Sequence, residues 1–285
     1  MNKTDELTLE SSSLFDIKNR IKQETQDKIM CALAHSGFLD KAVLHGDKAR
    51  RIHYELDGLS GHPEFSLMEP DPDFQLNTLL DKVKKELLPE GFEFKEEIRE
   101  KPTDTNVKTA VLKGNTKELA RILLRDNKML KTIPDSDTTH IRFEVNTAPP
   151  LGAGYERKKL QYAGSYEITL YDKPSLFAEK IDNTISRAWR NRTRGCDLYD
   201  YAFYLSNNVP VNLKHLITRL LYSRYVEAKE DMTLEEVKAN LCYRFREINY
   251  QEAKIDLLPF IKDPESLDLW SPEYFCAITQ KLKAQ

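Results

Sequence analysis

Between Ala42 and Leu67 the chain reads AVLHGDKARRIHYELDGLSGHPEFSL, and no other stretch of its 285 residues constrains the fold as much. Ala42-Val43-Leu44 is a short apolar run that predicts a buried strand. A turn at Gly46 follows. Asp47 to Leu56 then places Ala49, Ile52 and Leu56 at helical spacing. After a second loop, Phe65 and Leu67 alternate with polar residues as a strand does, up to the turn Glu69-Pro70-Asp71-Pro72. A strand, tight turn, helix, loop and strand in this order can present backbone N–H groups at a helix start to a phosphate. It can also bring side chains of the second strand beside the same phosphate.

The surrounding sequence predicts an α+β protein. Ser11, Ser12 and Ser13 are N-cap candidates for a helix marked by Leu14, Ile17, Ile21, Ile29 and Leu33, stopped by Gly37. Leu76, Leu79, Leu80, Val83 and Leu87 mark a second helix, ended by Gly91. Strands are expected at 92–98, 107–113, 141–147 and 166–171, with 117–124 ambiguous between strand and helix. Lys101–Asn106 and Ala148–Gly154 read as loops. After Pro174 the texture becomes helical: 175–189, 197–205, 212–228 and 234–248, with two more helices beyond Asn249. The expected organisation is a mixed-sheet α/β domain with N-terminal helices over 1–173 and a helical domain over 174–285.

Composition narrows the function. The net charge of −3 excludes a general polycation, so nucleic-acid contact requires a local basic patch. The four cysteines, Cys31, Cys196, Cys242 and Cys276, form no CxxC pair, which argues against a zinc site and for a reducing, cytoplasmic setting. No apolar run reaches membrane-spanning length, so no membrane partner is expected.

Three segments carry a family resemblance: the 42–67 stretch, IRFEVNTAPPLG at 141–152, and YDKPSLFAEKIDNTISRAWRNRTRGCDLYDYAFYL at 171–205. In this order and spacing they resemble the AbiEii/AbiGii-type toxin nucleotidyltransferases of bacteria, over roughly Leu33 to Val211. The resemblance implies a nucleotidyltransferase fold, with transfer of a nucleoside monophosphate from NTP to an acceptor such as tRNA or another RNA. It further implies Mg2+ or Mn2+ as cofactor and a cognate antitoxin as partner. Members of that family carry a Gly-Gly-Thr or Gly-Ser-Thr turn and an Asp-x-Asp pair on the next strand. Here the turn is Gly46-Asp47-Lys48, and His62-Pro63-Glu64 stands where the pair is expected.

The resemblance therefore implies Glu64 and Glu144 as catalytic carboxylates, and His62, Glu64 and Glu144 as metal ligands. It implies Gly46, Lys48, Lys180, Arg187 and Arg194 as nucleotide contacts. An imidazole with two carboxylates suits manganese or zinc better than magnesium. Two readings stay open. Glu144, sharing a strand face with Arg142 and Asn146, either faces the site or pairs with Arg142. Lys180 and the arginines at 187, 190, 192 and 194 either meet phosphates or form a basic face partnered by Asp197 and Asp200. Asp197 is expected to cap the next helix. Cys196, beside Arg194, is expected to be an inert thiol, and Tyr199, Tyr201, Phe203 and Tyr204 are expected to pack between helices. Asp47, placed where phosphate should sit, makes a catalytically inactive relative that binds nucleotide, RNA or protein the alternative function.

Overall fold

The computed structural model describes residues 13–55, 61–99, 106–124, 130–161, 164–189, 193–224, 229–261 and 263–285. Ser11, Ser12, Leu56, Arg190 and Arg192 lie outside them. The chain divides into two compact units, one of Met1–Pro149 with Glu156–Leu170, the other of Pro150–Tyr155 with Tyr171–Gln285.

In the first unit, helix α1 (Leu14–His35) starts at Ser13. The Ser13 hydroxyl accepts from the Asp16 amide, and the Asp16 carboxylate accepts from the Ser13 amide at 3.1 Å, a reciprocal cap. Ile17, Ile21, Ile29 and Leu33 are buried as their spacing requires. Thr25 interrupts the stripe yet is buried too, because its hydroxyl donates to the Ile21 carbonyl at 2.7 Å. Gly37, at φ 75°, turns the chain out of the helix.

Strand β1 (Ala42–His45), helix α2 (Gly46–Tyr54), strand β2 (Glu64–Leu67) and helix α3 (Leu76–Leu87) follow. Next come β3 (Lys95–Arg99), β4 (Val107–Asn115), helix α4 (Thr116–Leu123), β5 (Thr138–Asn146), β6 (Tyr155–Gln161) and β7 (Ser165–Tyr171). The seven strands make one mixed sheet in the order β3-β4-β5-β2-β1-β7-β6. β1 runs antiparallel to β2 and parallel to β7, and β2 runs parallel to β5. β1 and β2 are interior strands covered on both faces, so Ala42, Val43 and Leu44 are all buried, as are Phe65, Ser66 and Leu67. α1 packs against α3, α4 and β5.

Two elements depart from expectation. The ambiguous 117–124 segment is helical because the Asn115 side chain accepts from the Lys117 and Glu118 amides at 3.0 Å each. β6 lies where no strand was predicted. As an edge strand with only Leu160 buried, YERKKLQ lacks the apolar alternation that marks a strand.

The second unit is helical: α5 (Lys173–Ser186), α6 (Gly195–Ser206), α7 (Leu213–Ser223), α8 (Leu234–Phe245), α9 (Tyr250–Leu257) and α10 (Pro272–Thr279). Asp172 caps α5 by accepting from the Ser175 amide at 2.9 Å. α5 packs against α6, α7 and α8, and α8 against α10. Phe177, Tyr201, Phe245 and Phe275 form an aromatic core, with centroid separations of 5.7 Å from Phe177 to Tyr201, 5.3 Å from Tyr201 to Phe245 and 5.1 Å from Phe245 to Phe275. Tyr204 stacks on Phe177, so this part of the α6 aromatic cluster is helix packing. Among the described residues no helix is long and apolar enough to cross a membrane.

Gly195 sets how closely α6 approaches α9. A Cβ there would lie 2.0 Å from the Ala253 carbonyl oxygen, a backbone atom that cannot swing aside. Gly195→Ala is therefore expected to destabilise the protein by about 1–3 kcal/mol, as overpacking does. Urea unfolding checks this; an unchanged midpoint would mean that the helix start shifts freely.

Candidate functional site

The parallel pairing of β2 with β5 places Glu64 directly beside Glu144, and the antiparallel pairing of β4 with β5 places Thr109 on the other side of Glu144. Residues opposite each other in a ladder share a face, so the two carboxylates point the same way. Across β1 the partner of Glu64 is His45, the residue before the turn. Gly46 opens α2 at φ 69°, and a Cβ on it would lie 3.1 Å from both Cδ and Oε1 of Glu64. Glycine is thus required twice, for its left-handed backbone and for the Glu64 carboxylate that lies over it.

His62 completes this cluster. Its Nε2 is 3.5 Å from Glu64 Oε1 and 3.4 Å from Glu144 Oε2. The other oxygen of Glu144, Oε1, pairs with the Arg142 guanidinium and accepts from the Thr109 hydroxyl at 3.3 Å. The two readings of Glu144 are therefore compatible: one oxygen is held by Arg142 while the other faces His62. Asn146, on the same face, accepts from the Ala148 amide at 3.1 Å and serves the strand end. Donor atoms of His62, Glu64 and Glu144 all lie within 4.8 Å of one another, a grouping that could hold a metal ion.

Sequence reasoning missed what positions His62. Gln26 of α1 donates from Nε2 to the Gly61 carbonyl at 3.2 Å, and a Cβ on Gly61 would lie 3.0 Å from Asp47 Cβ. The loop entering β2 is thereby held against the start of α2. The polar pair Thr25-Gln26, interrupting the apolar stripe of α1, was the available signal.

Lys48 takes a different direction from the cluster. It is buried, with Nζ 3.0 Å from Asp27 Oδ1 and 3.4 Å from Gln26 Oε1. Burial pulls its pKa down, and Asp27 opposes that shift. The structure thus brings Gly46, His62, Glu64 and Glu144 together and turns Lys48 towards α1. Asp47 sits in the first turn of α2, where a helix start favours negative charge.

The remaining candidates gather in the second unit. Lys180 Nζ lies 2.8 Å from Asp200 Oδ2 and 3.8 Å from Asp197 Oδ1. Arg187 pairs with Asp197 through Nη2, and Arg194 Nε is 3.8 Å from the same carboxylate oxygen. The partnership of Lys180, Arg187 and Arg194 with Asp197 and Asp200 is thus present: three cations face two buried carboxylates. Asp197 is not the cap of α6. It occupies the first turn behind Arg194, where its carboxylate is committed to the cations. The Cys196 thiol has its pKa raised, by burial first and by Asp197 next, so the neighbouring Arg194 does not activate it.

A family model described as "Nucleotidyl transferase AbiEii toxin, Type IV TA system" matches residues 65–277. The match begins one residue after Glu64, so it contains Glu144, Lys180, Arg187 and Arg194 while Gly46, His62 and Glu64 precede it. Among solved structures, one described as "Crystal structure of putative nucleotidyltransferase from H. pylori" is similar, at 17% identity and a TM-score of 0.48, over 90% of this chain and 92% of that one. No curated protein matches the chain.

Proposed function

We propose, because this chain belongs to the AbiEii nucleotidyl transferase toxin family, that it transfers a nucleoside monophosphate from an NTP to an acceptor hydroxyl, with RNA as the acceptor class. The observation that supports this most is the pair of carboxylates, Glu64 and Glu144, side by side on adjacent parallel strands and beside the Gly46 helix start. His62, Glu64 and Glu144 would hold the divalent cation, Mg2+ or Mn2+, that the family implies, and their two carboxylates and one imidazole fit such an ion. When bound, the ion offsets charge on the phosphates.

The chain's own groups supply the rest. Gly46 lets backbone approach the phosphates at the start of α2. Arg142 and Thr109 fix Glu144 so that its Oε2 stays turned towards His62, where it serves as a ligand or accepts the proton of the attacking hydroxyl. In the second unit, taken by itself, Lys180, Arg187 and Arg194 carry charged donors of the kind that also suits phosphate. A cognate antitoxin is the protein partner this reading expects.

One observation favours a second reading, in which nucleotide is bound without turnover. Asp47 puts a carboxylate into the first turn of α2, the place that phosphates would use. Relieving it should help: Asp47→Ser is expected to tighten NTP binding by about twofold or more, the worth of one charge at a helix start. Equilibrium binding of a labelled NTP measures this, and unchanged affinity would take the phosphates away from this helix.

The deciding experiment incubates the protein with each labelled NTP, Mg2+ or Mn2+, and total tRNA. Label on RNA supports transfer. NTP binding without transfer supports the binding reading, and the absence of both transfer and binding overturns both.

A further inference from the structure

We infer that the His62–Glu64–Glu144 cluster selects a first-row transition-metal dication over Mg2+. The inference deepens the transferase reading and rests on it for what the ion would do. It rests on the donor atoms alone for which ion is taken.

Two features make the cluster an ion site, and a third, the donor type, selects the ion. The first is spacing. His62 Nε2 stands 3.5 Å from Glu64 Oε1 and 3.4 Å from Glu144 Oε2. These separations exceed the usual N–H···O distance of about 2.9–3.0 Å. They match two donors that each lie about 2.1 Å from a shared ion, which stand roughly 3.0–3.5 Å apart at octahedral or tetrahedral angles. One nitrogen carries at most one hydrogen, so it cannot donate squarely to both carboxylates at once. As a ligand set the same arrangement is unfrustrated.

The second is support. Glu144 is held on its far oxygen by Arg142 and Thr109, the outer bonding that fixes a ligating carboxylate, while its near oxygen faces His62. The Glu64 carboxylate lies over Gly46, so close that a Cβ there would meet it at 3.1 Å. His62 is set by the loop that Gln26 ties down through Gly61. All three side chains are partly exposed, so an ion and a phosphate can reach them.

The third is donor type. Mg2+ is hard and small, wants an octahedron of oxygens and gives up water reluctantly. An imidazole nitrogen among two carboxylates favours ions further along the Irving–Williams order. Arg142 also neutralises part of the negative charge that would otherwise draw Mg2+.

The test titrates the metal-free full chain with Co2+, followed by visible absorption, and with Mn2+, followed by the loss of its free EPR signal. Mg2+ is the competitor. The wild type is expected to develop cobalt bands and to keep them in a large excess of Mg2+. His62→Ala should lose the bands. Thr109→Val should weaken Co2+ binding by about 10–100-fold, the usual cost of losing a partner that orients a ligand. His62→Asp keeps a ligand and replaces nitrogen with oxygen, so Mg2+ should now displace Co2+; circular dichroism verifies that each variant is folded. Absence of cobalt binding, displacement by Mg2+ in the wild type, or bands that survive in His62→Ala would each overturn the inference. Nucleotide transfer running as well with Mg2+ as with Mn2+, alongside ready displacement, would sink the selectivity and leave the transferase reading standing. Selective Co2+ and Mn2+ binding without transfer would do the reverse.

Discussion

Glu64→Ala is expected to cut label transfer from NTP by about a thousandfold, the loss of roughly 4 kcal/mol of charge stabilisation around the reacting phosphate. Within the first unit Glu64 touches every part of the cluster. It is the ladder partner of Glu144, lies over the Gly46 turn, and stands 3.5 Å from His62 Nε2. Its loss would remove one of two carboxylates that could hold an ion and would open the space that places the turn. The fold should survive, because the strand is anchored by Phe65, Ser66 and Leu67, all buried, whereas Glu64 is partly exposed. An unchanged thermal midpoint with background transfer is thus the expected pair of results. Glu64→Gln separates charge from shape: it fills the same volume over Gly46 and should be nearly as inactive. Transfer at the wild-type rate in either variant would take Glu64 out of the chemistry.

Much of this arrangement was legible in the sequence, for identifiable reasons. β1 could be read from its continuous apolar run and β2 from the alternation of Phe65 and Leu67 with polar residues, the two bounded by Gly46 and Pro70. α1 could be read through its cap at Ser13 and its stripe, and α3 through five leucine and valine positions at helical spacing. The edge strand β6 could not, because a strand that buries only Leu160 carries no alternation to detect. The candidate residues divide in the same way. The register of β2 on β5, which sets Glu64 beside Glu144, is a long-range pairing to which no local pattern points. Lys48 is a nucleotide contact only by the family resemblance; in the structure its ammonium is held by Asp27 and Gln26, some twenty residues earlier on α1, a pairing to which no local pattern points. Asp197 was open to two readings, a cap of the next helix and a partner of the basic residues, and Lys180, Arg187 and Arg194 converging on its carboxylate leave the second.

That convergence makes Asp197 a stability-sensitive charge of the second unit. Asp197→Ala is expected to destabilise the protein by about 3 kcal/mol, the low end of the cost of breaking a buried pair, because the part-buried Arg187 loses its carboxylate while Lys180 keeps Asp200 at 2.8 Å. Its carboxylate is buried, paired with Arg187 and within 3.8 Å of both Arg194 Nε and Lys180 Nζ. Such a loss is a large share of the roughly 5–15 kcal/mol that holds a domain folded. Urea unfolding followed by the fluorescence of Trp189 and Trp270 measures it, since both tryptophans belong to this unit. Adding inorganic phosphate or NTP to the variant then distinguishes the two roles open to the cations. If they also serve phosphate, the anion takes the place of the lost carboxylate, and the variant gains more stability from it than the wild type does. Equal gains in both proteins would leave Lys180, Arg187 and Arg194 as structural partners of Asp197 and Asp200. A midpoint unchanged by Asp197→Ala would mean that these cations reach water once the carboxylate is gone.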